Sequence, residues 1–111
     1  PLICVSVGAK SKIQRKIRQS RRFAVNILSE GMPAHALHFA GRTDATLTDL
    51  FEHWHGLPRL RGAAAALVAD LAQMVEAGDH VLFLGYVRAI DYQADAVPLL
   101  HHQGKFGAIA R

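Results

Sequence analysis

Apolar and polar positions follow two different periods along this chain. Leu2-Ile3-Cys4-Val5-Ser6-Val7 is an apolar, β-branched run ending at Gly8, and it predicts a buried strand with a turn after it. Cys4, in the middle of that run, is expected to pack as a small hydrophobe. Ser11-Lys12-Ile13-Gln14 has capping-box spacing, with Ser11 at the N-cap and Gln14 reaching back. Ile13 and Ile17 then fall four apart, on one face of a helix expected to run to Ser20. Residues 22–28, Arg-Phe-Ala-Val-Asn-Ile-Leu, read as a second strand. Pro33 suits the first turn of another helix and Gly41 its end, with Leu37 and Ala40 facing inward. Residues 42–62 are turn-rich, with a short helical turn expected at Leu47–Phe51. Ala63–Ala77 carries four consecutive alanines, then Leu67, Leu71, Met74 and Val75; propensity alone predicts a helix capped by Gly78. Residues 81–90 predict a strand, Asp91–Asp95 a polar turn, and 97–102 a further extended segment.

The length of 111 residues suits one domain, and half of the residues are hydrophobic, so a core is within reach. A domain of this size is marginal alone, and oligomer formation is a common remedy. The single cysteine builds no disulfide framework. No apolar run approaches the ~18 residues of a membrane span, so no membrane partner is expected. The chain opens on Pro1 rather than Met, so the true N-terminus is expected upstream and no targeting signal can be read. Charge changes the picture more. Of thirteen basic residues, Lys10, Lys12, Arg15, Lys16, Arg18, Arg21 and Arg22 fall in one short stretch. Such a stretch serves a nucleic acid, a cofactor phosphate, or only water. It lacks the interleaved aromatics of single-strand binders, so nucleic acid is not the expected partner.

Candidate chemistry narrows further. Seven histidines are scattered as His35/His38, His53/His55, His80 and His101/His102, with no HExxH pattern and no thiol beside Cys4; no metal site is expected. There is no Gly-x-Ser-x-Gly elbow and no Gly-rich phosphate motif. Gly8-Ala9-Lys10-Ser11 joins a strand to a helix N-terminus, where backbone N–H groups favour an anion; the plain alternative is an ordinary capped turn. Gly78-Asp79-His80 opens a strand. It is either a turn with a half-exposed histidine or a histidine set to donate a hydrogen bond to a ligand.

In order, these pieces resemble the flavin reductase-like domain family, which includes short-chain reductase components of two-component flavin monooxygenases. The pieces are Pro1-Leu2-Ile3-Cys4-Val5, the Lys10-Ser11 turn, Phe23-Ala24-Val25-Asn26-Ile27-Leu28, Phe39-Ala40-Gly41, Trp54, Gly62-Ala63, Gly78-Asp79-His80, Gly85 with Val87, Pro98-Leu99-Leu100 and Gly104-Lys105-Phe106. Gly-Asp-His is the most specific of them, and the match spans nearly the whole chain. The resemblance implies a mainly β fold with short helices, a Greek-key split barrel of the FMN-binding type. Residues 1–111 would be its C-terminal two-thirds, with the first strands and a Ser/Thr-rich flavin turn upstream. It also implies a strand, not a helix, over 66–77. Ala66, Ala69, Ser6 and Phe106 depart from the family, where Trp, Cys, Asn and Tyr are common at those places; any hydroxyl contact made at the last would be lost.

The implied activity is NAD(P)H-dependent reduction of FMN or FAD, supplying a monooxygenase partner, by a cytoplasmic homodimer. The flavin would do the organic chemistry, which accounts for the missing triad. The resemblance puts Ser6, Val7 and Gly8 near the flavin ring or ribityl chain. It puts Lys10 and Ser11 on the flavin phosphate, His80 on the nicotinamide or flavin, and Phe106 near the ring stack. Asp79 would shape the turn. The alternative is an electron carrier or storage flavoprotein of the same fold that binds FMN without turning over NAD(P)H.

Overall fold

A computed structural model of the chain describes residues 1–109. Ten elements follow one another: β1 (Leu2–Gly8), α1 (Lys12–Ser20), β2 (Arg22–Ile27), α2 (Pro33–Phe39), β3 (Phe51–Trp54), β4 (Leu57–Leu60), β5 (Ala65–Ala77), β6 (His80–Tyr92), β7 (Leu100–His102) and β8 (Lys105–Gly107). The main sheet has the order β1-β6-β5-β2, and β3-β4 and β7-β8 form two-stranded ribbons. Strands β1 and β2 are consecutive in the sheet's chain order yet sit at opposite edges, with β5 and β6 inserted between them. That is the long-connection wiring of Greek-key sheets. The fold is mainly β with two short helices, as expected.

The described residues gather into two compact units. The first comprises residues 1–25 and 67–90. Its core is Ile17, Phe23, Ala69, Val81 and Phe83, ringed by Ile3, Val5, Val7, Val25, Leu67, Leu71 and Met74. Strand β1 shows period-two packing: Ile3, Val5 and Val7 join the core while Leu2, Cys4 and Ser6 are exposed. The expectation of a buried strand with an inert Cys4 is therefore corrected, since Cys4 is exposed. Helix α1 contributes Ile17 but leaves Ile13 48% exposed, so the apolar face is one residue deep. Arg21 ends the helix in the left-handed region (φ 62°), its N–H donating to Ile17 O at 2.8 Å. Gly85 is required by packing. A Cβ there would lie 2.7 Å from Phe23 Cζ and 2.8 Å from Ala69 Cβ.

The second unit comprises residues 26–66 and those from Asp91 onward. Pro33 starts α2, as its fixed φ favours. Leu37 and Ala40 do not face inward as expected; both are exposed. The expected helical turn at Leu47–Phe51 is absent, because Phe51 instead begins the β3–β4 ribbon. His55 (φ 53°) and Gly56 (φ 78°) turn that ribbon, both in the left-handed region that two-residue hairpins of this hand need. Glu52 and Arg59 face each other across it and bond at 2.7 Å, and Asp91 takes a second Arg59 donor at 2.8 Å. Arg59 also lies over the Trp54 ring at 5.2 Å. Asn26 Oδ1 accepts from Leu60 N–H at 3.0 Å, tying β4 to the end of β2.

The alanine-rich segment is strand β5, not a helix. Ala66, Val68 and Ala69 are all buried, so both faces of the strand are covered there. A strand buried on both sides has no polar alternation to announce it, and small side chains fill the shallow space.

Candidate functional site

The first unit builds the site from the end of the β1–β6 ladder. The antiparallel register pairs Ser6 with Leu82, Val7 with Val81, and Gly8 with His80. Because side chains alternate across a strand, Ser6 and His80 share the face opposite the core. Val7 points inward and offers a ligand only its backbone. Beyond the ladder two turns meet. Ala9 N–H donates to Asp79 O at 2.9 Å, linking the turn after β1 to the turn before β6. Gly78 makes that second turn possible with φ 59°.

The expected capping box does not form. Ser11 Oγ donates to Gly8 O at 2.6 Å instead of capping the helix, and no side chain caps α1. Gln14 does not reach back; its Oε1 accepts from Arg18 Nε at 2.8 Å. The physical reason is orientation: the rotamer that lets the hydroxyl donate to the turn carbonyl does not bring its oxygen to the helix N–H groups it would accept from. The consequence favours an anion. The first N–H groups of α1 keep no side-chain acceptor, Lys10 is exposed, and nothing acidic sits in the first turn.

His80 stands at the rim of an open depression of about 380 Å³ lined by Ala9, Gln14, Arg18, Glu76, Gly78, His80 and Val81. Its Nδ1 lies 2.9 Å from Asp79 Oδ1. The Asp79 carboxyl is held below the usual carboxylate range, first by that bond and then by its own backbone N–H. Two residues lining the depression, Arg18 and Glu76, form an ion pair at 3.3 Å. Sequence reasoning missed Gln14, Arg18 and Glu76. Only the four-residue spacing of Gln14 and Arg18 on α1 hinted that they share a face.

Ser6, Gly8, Lys10, Ser11 and His80 are thus brought to one end of the first unit. Phe106 belongs to the second unit, on β8, where it is 36% exposed and its ring contacts His101 at 5.0 Å. Among the described residues no three His, Cys, Asp or Glu side chains are grouped to hold a metal ion. No helix of the described residues is long and apolar enough to cross a membrane.

An anionic group such as a phosphate is suited to this end of the unit. The uncapped helix N-terminus and Lys10 supply donors and positive charge, while the Ser11 O–H already donates to Gly8 O. A Cβ at Gly8 would meet nothing within 4 Å, so the backbone there is open to close approach.

Comparison with known proteins bears on the chain as a whole. The family model described as flavin reductase like domain matches residues 1–110. An NADH-dependent flavin reductase of a Rhodococcus species is 32% identical over 109 residues, covering 98% of this chain and 61% of that protein. The reductase component of 4-hydroxyphenylacetate 3-monooxygenase from Klebsiella oxytoca is 28% identical, covering 96% of this chain and 66% of its own length. The chain therefore spans less than two thirds of these curated relatives. The solved structure of the flavin reductase PheA2 superposes with a TM-score of 0.91 at 38% identity, covering 99% of this chain and 71% of that one.

Proposed function

The chain belongs to the flavin reductase-like domain family, and from that premise we propose that the full protein is an NAD(P)H-dependent flavin reductase. It uses NADH as donor, as the name of the Rhodococcus relative supports. It passes reduced flavin to a monooxygenase partner, as the name of the Klebsiella relative supports. The reading rests on one observation above the others: the ladder register sets Gly8 opposite His80, beside an uncapped, basic helix start.

Bound flavin supplies the acceptor for a hydride from the reduced nicotinamide. The rest is positioning by this chain, and holding two reactants in contact replaces a bimolecular encounter. Lys10 and the first N–H groups of α1 hold the phosphate of FMN, or the pyrophosphate of FAD, and the Ser11 hydroxyl joins them by turning its donor from Gly8 O. Ser6 and the backbone of Val7 and Gly8 line the ring or ribityl chain. His80 orients the nicotinamide from across the ladder. No proton need leave a protein group for the hydride to move, so the site needs neither a nucleophile nor a carboxylate pair.

The working form is a homodimer in the cytoplasm. Leu2 (59% exposed) and Tyr86 (50%) pair on the sheet face opposite the core, and such apolar surface is normally covered. Steady-state NADH consumption by the full-length protein, with and without added FMN, tests the proposal. Flavin-dependent consumption supports it. Tight FMN binding with no consumption of NADH or NADPH would leave the carrier or storage reading in its place.

A further inference from the structure

The turn that precedes β6 does more than reverse the chain. Asp79 is nearly fully exposed, with no packing role for its side chain, yet both of its polar ends are engaged. Its carbonyl accepts Ala9 N–H at 2.9 Å, which fixes it against the Gly8-Ala9-Lys10 turn. Its carboxylate stands 2.9 Å from His80 Nδ1. A carboxylate can only accept a hydrogen bond, so the contact places the proton of a neutral imidazole on Nδ1 and leaves Nε2 as an acceptor.

We propose that Asp79 is a positioning residue, whose carboxylate fixes the tautomer and ring orientation of His80 while its carbonyl locks that histidine to the Gly8–Lys10 turn. The ligand then meets an imidazole that presents an acceptor nitrogen. A group suited to that nitrogen is an N–H donor such as the carboxamide of a nicotinamide. This rests on the reductase reading for its kinetic consequence, but not for the tautomer itself.

The low carboxyl pKa of Asp79 keeps it an acceptor through neutral pH. The pair is solvent-exposed, so it contributes little to folding. Orientation needs little: a tenfold preference between two ring states corresponds to about 1.4 kcal/mol.

The test uses the full-length protein labelled with ¹⁵N-histidine, at about pH 8, where an ordinary imidazole is neutral. The His80 signals are assigned by their loss in His80→Gln. Wild-type protein should show a protonated Nδ1 and a bare Nε2, and Asp79→Ala should lose that preference. Asp79→Asn, whose amide oxygen still accepts, should keep it. In NADH-driven flavin reduction, Asp79→Ala should lose about fivefold in kcat with KM for NADH within about twofold, and Asp79→Asn should stay within about twofold of wild type. Wild-type His80 protonated on Nε2 overturns the proposal, as does equal loss in the Ala and Asn variants with an unchanged ring. If the protein consumes no NADH at all, the reductase reading fails, while the nitrogen signals still decide the role of Asp79.

Discussion

At the scale of single residues, Gly85 and His80 show two different reasons for an exact residue type. Gly85 has no unusual φ; its constraint is space. A Cβ would lie within 2.8 Å of both Phe23 and Ala69, and these belong to the core of the first unit. Gly85→Ala should therefore destabilise by about 1–3 kcal/mol, the usual cost of overpacking. Thermal unfolding of the variant checks this, and an unchanged Tm would mean that Phe23 moves aside freely. Ala69 is small for the same reason. His80 was legible as a candidate because Gly-Asp-His stood out against an otherwise plain strand start. Its partner was not, since only the folded turn shows which way the Asp79 carboxylate swings.

At the scale of elements, the strand-to-helix turn carries the anion argument. The capping box read from Ser11 and Gln14 was wrong, because both side chains found nearer partners in Gly8 and Arg18. The helix start is more available to a phosphate than the sequence implied. Lys10→Ala with Ser11→Ala should weaken FMN at least tenfold more than riboflavin, which lacks the phosphate; about 1.4 kcal/mol suffices. Fluorescence-quenching titrations compare the two ligands, and equal losses would put the phosphate elsewhere. A second element-level prediction concerns Asp70 on β5, which bonds Arg88 at 2.7 Å and Arg22 at 3.3 Å. Hydrogen bonding from Arg88, then its charge and the Arg22 bond, hold the carboxyl below its usual range despite some desolvation. A lowered folded pKa means that this stabilisation is complete above the usual Asp range. It is lost as pH falls through the depressed value. The Tm gap between wild type and Asp70→Asn should accordingly be widest near neutral pH and close on acidification. A gap independent of pH would assign the effect to packing.

At the scale of the whole molecule, what could be read depended on whether each segment obeyed a local rule. β1, β2 and β6 are β-branched runs and were legible as strands. α1 was legible from Ile17 and its basic flanks, though Ile13 proved exposed. β5 was misread by propensity and recovered by resemblance, because double-sided burial erases alternation over Ala66–Ala69. The β3–β4 ribbon was missed outright. Its turn uses His55 where Asn or Asp is the usual left-handed residue, so no turn signal marked it. Cross-strand pairing of Glu52 with Arg59 holds that ribbon, and such a pair is invisible until the register is known. The candidate site was legible as separate motifs. Their assembly depends on the Gly8–His80 register, which no local pattern specifies.

The central claim is that this family member moves hydride from a nicotinamide to flavin at the His80 end of the β1–β6 ladder. It is tested most directly by mixing flavin-loaded, full-length protein with NADH without oxygen and following the oxidised flavin's visible absorbance in a single turnover. The wild type should bleach fully. His80→Ala should bind flavin with little change but bleach about tenfold or more slowly, equivalent to roughly 1.4 kcal/mol of transition-state stabilisation. Wild-type protein that binds flavin yet is not bleached by NADH or NADPH, or a His80→Ala variant as fast as wild type, would contradict the account.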